Sequence, residues 1–258
     1  MKTNQDIWQV QGIRIISKIV SFLFLTAVVV LVSYGVYALW DTLTVIHSAS
    51  PDQYAKYKPD ADDDGMSFEE LCRLNPEVVG WLTIYGTNID YPLVQTTDNN
   101  KYLSHDVLGD YSLAGSIFLD YRNKNDFSDF NTIIHGHHMD HHVMFGDLDL
   151  FQDEEFFDTH LYGNLYYGKK DHGIRIFAFT EADAYTSGLL TPAVTGTRMQ
   201  RIYLEEIQKK AKYFRDFPEN DSARIVVLST CTGNTTNGRH LLIGEIMDET
   251  YTDEFQQK

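Results

Sequence analysis

Leu228-Ser229-Thr230-Cys231 closes an apolar run that begins at Arg224, and Arg239 follows the cysteine by eight residues. A thiol near a guanidinium provides a nucleophile and a fixed cation for one reacting carbonyl. A lone cysteine on an apolar run is more often a small core residue, so a partner for its proton is needed. Histidines occur in one place that could provide it: His135, His137, His138, His141 and His142 fall within eight residues, directly after Thr132-Ile133-Ile134. A Cys–His pair makes a thiolate and a general acid from a single proton. The same cluster invites a competing reading as the ligand set of a metal-dependent hydrolase. His135-Gly136-His137-His138-Met139-Asp140-His141 nevertheless runs one residue too long before its Asp for an H-x-H-x-D-H pattern.

The elements that must position these groups read mostly as short strands. Arg224 to Leu228 and His240 to Ile246 are two of them, joined by the loop Thr232 to Gly238. An antiparallel pairing across that loop returns Arg239 to the side of Cys231. Further strand-like runs cover 79–84, 91–95, 115–119, 131–134 and 173–179, separated by Gly, Asn and Asp, which suggests an antiparallel barrel or sandwich. A helix is expected from about Met199 to Phe214, with Tyr203, Leu204, Ile207, Ala211 and Phe214 toward one side. Another opens at Ser67, with Ser67 and Glu70 as a capping box and Cys72 as a small core residue. Cys72 and Cys231 are the two cysteines, and a bridge between them would abolish the nucleophile.

Gly136-His137-His138-Met139 within I-I-x-G-H-x-M, then Val143-Met144-Phe145-Gly146-Asp147-Leu148, then L-S-T-C and Arg239 resemble the sortase family of cysteine transpeptidases. The class B branch is the nearest in pattern, and the resemblance runs from about Ser67 to Ile246. It implies a closed sortase β-barrel with an N-terminal helix and an extra helix before the cysteine strand. It also selects His137 as the catalytic histidine beside Cys231 and Arg239. His138 stands where the family usually has Asn, and His135 where an aromatic is common. Ser229 and Thr230 are expected to line the approach to the thiol and contact substrate.

Ile19 to Trp40 carries 22 residues without a charge, enough at about 1.5 Å per residue to cross a hydrocarbon core of about 30 Å. Lys2, Arg14 and Lys18 precede it, and Asp41 follows. The expected organisation is a cytoplasmic N-terminus over 1–18, a transmembrane anchor over 19–40, an acidic extracellular stalk over 41–66 and a catalytic domain over 67–258. Of 21 Lys and Arg, three lie in residues 1–40, as does one of the 37 Asp and Glu; the rest holds 18 basic against 36 acidic groups, a net of −18. Such a charge disfavours nucleic acid and anionic lipid as partners. Asp60, Asp62, Asp64 and Gly65 start like a calcium loop, but Leu71 stands where a bidentate Glu is required, so a solvated linker is expected there.

The resemblance then implies a mechanism. Cys231 attacks the carbonyl after the threonine of a C-terminal sorting signal on another exported protein, and His137 serves as acid and base. Arg239 steadies the oxyanion, and an amine, from a pilin lysine or a peptidoglycan cross-bridge, resolves the thioacyl enzyme. No metal or nucleotide cofactor is required. Class B members commonly act on Asn-Pro-x-Thr signals in wall anchoring, and some polymerise pilins. The string Gly115 to Lys124 together with His137-His138-Met139 favours the pilin type. A membrane-anchored binding module without catalysis explains the anchor and the barrel, but not the three motifs together.

Overall fold

A computed structural model describes residues 4–59, 66–183, 188–217, 223–231 and 238–250; for residues 4–11 and Cys231 it describes the backbone alone. The chain divides into two units, Met1–Val45 and Ile46–Lys258. The first is most of a single helix, α1 (Asn4–Ala49), long and apolar enough to cross a membrane. At about 1.5 Å per residue its 46 residues span about 69 Å. Thr26, Thr42 and Thr44 each turn their hydroxyl back onto the carbonyl four residues earlier, so these hydroxyls are bonded within the helix.

The second unit opens with the last turn of α1 and a 3-10 turn over Pro51–Tyr57. Part of the expected stalk is therefore packed: Ala49, Tyr54 and Tyr57 are buried. Tyr91 donates its hydroxyl to the Ala49 carbonyl and accepts from the Met144 amide, both at 2.8 Å. The acidic run at 60–65 lies outside the described residues. Helix α2 (Met66–Leu74) follows and buries Phe68 and Leu71. It already includes Met66, so Ser67 lies inside its first turn and not at the cap.

Eight strands then close a barrel: β1 (Val78–Ile84), β2 (Asp90–Val94), β3 (Ile117–Leu119), β4 (Asn131–His135), β7 (Tyr162–Tyr167), β8 (Lys170–Asp183), β10 (Arg224–Cys231) and β11 (Gly238–Ile246). The order is β11-β10-β4-β3-β2-β1-β7-β8, and β8 pairs β11 to complete the ring. Closure removes the unpaired edges that an open sheet would expose. The expected antiparallel pattern holds for most neighbours, but β2–β3 and β4–β10 are parallel. Both parallel pairs are joined by long crossovers, which a parallel pair requires.

Alternation along each strand sends one set of side chains inward and the other outward. Leu82, Leu93, Ile117, Ile134, Val226, Leu228 and Leu242 belong to the inner core. Ile133, Ile225, Val227, Leu241 and Ile243 instead form an outer cluster with Tyr203 and Ile207 of α3 (Thr197–Lys210). That helix ends earlier than its apolar stripe suggests. Ala211 caps it, and Tyr213 and Phe214 leave it to form β9 against β8. There the Lys212 amide donates to the Phe179 carbonyl and the Arg215 amide to that of Phe177. Ladder bonds and aromatic side chains outweigh the helical spacing at this point.

Candidate active site

The outer-facing residues at one end of β3, β4, β10 and β11 border a cleft of about 190 Å³ lined by Asn99, Leu103, Phe118, His135, Gly136, His137, Ser229 and Arg239. Strand register explains the meeting. Cys231 pairs with Arg239 across β10 and β11, and Thr230 with His240. Ser229 pairs with His135 across the parallel β10–β4 contact, and His135 with Phe118 across β4–β3. Residues from distant parts of the chain are thus held beside one another by the barrel wall.

Gly136 marks where the chain leaves β4. Its amide donates to the Ser229 carbonyl at 3.2 Å. A Cβ there would lie 2.5 Å from Ile117 Cδ1 and 2.7 Å from Phe145 Cδ2, so only glycine lets the backbone pass. His137 comes next, before the small hairpin of β5 (His138–Met139) and β6 (Val143–Met144). The Phe145 amide donates to the His137 carbonyl at 3.0 Å and ties the hairpin's return to its start. His137 Nε2 lies 2.7 Å from the Leu103 carbonyl oxygen. A carbonyl only accepts, so Nε2 carries a proton and Nδ1 is the nitrogen left for chemistry. Gly115, at φ +61°, allows this: a Cβ there would meet the Tyr102 carbonyl at 2.6 Å and the His137 ring at 3.0 Å.

Three of the remaining histidines of the cluster take separate partners. His135 Nε2 donates to Asp120 Oδ2 at 3.2 Å, and its ring sits 5.3 Å from that of Phe118. His138 meets Asp149 and His142 meets Asp147. Among the described residues no three His, Cys, Asp or Glu side chains converge as a metal set. Asp120 is fully buried. Burial by itself would raise its carboxyl, but hydrogen bonds from Arg122, His135 and Asn99 win and hold it well below the ordinary carboxylate range.

Arg239 donates to the Gly238 carbonyl and makes no ion pair among the described residues. Ser229 lines the cleft and is buried. Thr230 does not line it: alternation along β10 turns this side chain to the barrel's other face, where it is also buried. Both hydroxyls lack a partner among the described residues. Cys72 is a free thiol packed against the Tyr54–Phe68–Trp81 cluster, so it forms no bridge to Cys231; burial pushes its pKa up. The Leu103 carbonyl was not legible in the sequence, because a backbone acceptor has no residue signature.

No family model matches the chain. It is 35% identical to sortase B of Listeria monocytogenes over 206 residues, which cover 76% of this chain and 82% of that protein. The chain belongs to the class B sortases. Sortase B from the type II pilus of Streptococcus pneumoniae is 46% identical in sequence and superposes with a TM-score of 0.62 over 70% of this chain and 99% of its own. A class B sortase of Streptococcus pyogenes involved in pilus biogenesis is 40% identical, with a TM-score of 0.65 over 71% and 99% of the two chains. This class B sortase is therefore a cysteine transpeptidase of the cell wall, in a family that acts on sorting-signal substrates. The cleft lies at the end of the strand that carries its Cys231.

Proposed function

We propose that this class B sortase is membrane-anchored through α1 and cleaves a C-terminal sorting signal after its threonine, passing the acyl group to a pilin lysine. Cys231, His137 and Arg239 carry the reaction. The observation that supports it is the register that pairs Cys231 with Arg239 at the edge of a cleft lined by His137. Position 231 shares a strand face with Ser229, which lines that cleft. The thiol proton passes to His137 Nδ1, and the thiolate attacks the amide carbonyl. As the C–N bond breaks, the same nitrogen returns the proton to the departing amine. The incoming amine then gives its proton to Nδ1 and displaces the thiolate, so one amide replaces another. Arg239 faces the oxygen on which charge develops in both steps. Ser229 contacts the bound signal.

The pilin acceptor is favoured over a peptidoglycan cross-bridge by the 46% and 40% identities to pilus-associated sortases, against 35% to the Listeria protein. The N-terminus is cytoplasmic and the barrel extracellular in this reading.

The test is a mixture of the full chain in detergent micelles with quenched Asn-Pro-x-Thr and Leu-Pro-x-Thr peptides and a lysine-bearing acceptor. Cys231→Ala and His137→Ala run beside it. Cleavage after threonine with a thioacyl adduct on Cys231, lost in both variants, is expected. Activity that survives Cys231→Ala would sink the assignment. Ligation to a cross-bridge amine but not to lysine would replace the acceptor.

A further inference from the structure

Two residues that adjoin the proposed catalytic groups share one carboxylate. His138 follows His137, and its Nε2 lies 2.8 Å from Asp149 Oδ2. His240 follows Arg239, and its Nδ1 lies 2.7 Å from Asp149 Oδ1. A carboxylate only accepts here, so each imidazole donates, and the neutral form of each has the one proton required. The two attachments differ in firmness. His240 is 3% exposed and fixed in the barrel wall. His138 lies on a hairpin whose two strands have two residues each, outside the barrel sheet.

That hairpin does not hold its shape by local preference. His141, His142 and Met144 all adopt left-handed backbone conformations, with φ of 64°, 60° and 53°, which non-glycine residues rarely take unless their surroundings impose them. Asp149 lies in the 3-10 turn Gly146–Gln152, which is anchored by the completely buried Leu148 and Phe151; its own side chain is 40% exposed and is held by the two imidazoles.

We propose that Asp149 is a positioning residue that staples the His137 hairpin to the Arg239 strand and so fixes the acid–base group relative to the oxyanion cation. It touches no substrate and acts through His138 and His240. The proposal rests on the assignment of His137, Cys231 and Arg239 made above.

The experiment measures kcat and KM for peptide cleavage by the full chain, with Asp149→Ala, Asp149→Asn, His138→Ala, the double variant Asp149→Ala/His138→Ala and Cys231→Ala. Misplacing a catalytic group by about an ångström costs about 100-fold, so Asp149→Ala should lower kcat by about 10- to 100-fold with KM held within about twofold. Asparagine keeps one acceptor and one donor, and one imidazole can switch tautomer to match, so Asp149→Asn should recover most of the activity. The double variant should be no worse than Asp149→Ala, because both changes open one staple. Wild-type kcat in Asp149→Ala or His138→Ala, or losses that multiply in the double variant, would overturn the staple while leaving the inactive Cys231→Ala control intact. An asparagine variant as impaired as alanine would show that charge, not position, is what Asp149 supplies. Cleavage surviving in Cys231→Ala would instead overturn the catalytic assignment and the staple with it. Thermal melting accompanies each variant. Should Asp149→Ala unfold early, His138→Ala, whose ring is partly exposed, carries the same test.

Discussion

The proton on His137 Nε2 is fixed by a main-chain oxygen, which no side-chain substitution at Leu103 can remove. Arg239 is different, since among the described residues its guanidinium bonds only the neighbouring Gly238 carbonyl. Arg239→Ala should therefore lower kcat by about 100- to 1,000-fold, the usual effect of losing one oxyanion donor, with little change in melting temperature; steady-state peptide cleavage and a thermal scan check both. Asp120 predicts the opposite pattern, a loss of stability. Its carboxyl is held well below its ordinary value in the folded protein. It therefore stabilises the fold fully above the unfolded value near 4 and progressively less as the pH falls below it. Asp120→Ala should destabilise by about 2–3 kcal/mol at pH 7, less than a fully buried pair because Arg122 is half exposed. Urea unfolding at pH 7 and pH 3 should show the difference between variant and wild type shrinking at the lower pH.

At the level of elements, the passage from β4 into the hairpin depends on the absence of a side chain. Gly136→Ala would push a methyl into Ile117 and Phe145, at a cost of about 1–3 kcal/mol from overpacking, and would displace His137. Both a lowered melting point and a kcat loss larger than any KM change should follow. What could be read in advance divides along the same elements. Arg224 to Leu228 and His240 to Ile246 announced themselves as strands, and their short loop fixed the Cys231–Arg239 pairing. Tyr162-Gly163-Asn164-Leu165-Tyr166-Tyr167 did not, since Gly and Asn interrupt its alternation, yet it fills the gap between β1 and β8. The stripe ending at Phe214 misled because a strand edge of β8 offered the backbone a better partner. Thr230 fell on the wrong face because a two-residue period separates neighbours that a motif groups together.

For the whole molecule, the catalytic unit begins at Ile46, and Tyr54, Tyr57 and Ala49 are part of its packing. A soluble form starting at Ile46 should melt cooperatively near the temperature of the longer chain. One starting at Met66 should melt at least several degrees lower, because it removes two buried tyrosines from the cluster that also holds Trp81, Tyr102 and Phe118; calorimetry of the two truncations distinguishes them. The closed strand order has a consequence in time as well as in space. The walls of the cleft come from Asn99, Leu103, Phe118, the segment 135–137, Ser229 and Arg239, and β10 joins a partner in β4 that was made about ninety residues earlier. Contacts so distant along the chain form late and slowly. A barrel still waiting for its penultimate strand has His137 and the Leu103 carbonyl in place but lacks the proposed nucleophile, so in this reading the enzyme stays chemically silent until the ring has shut.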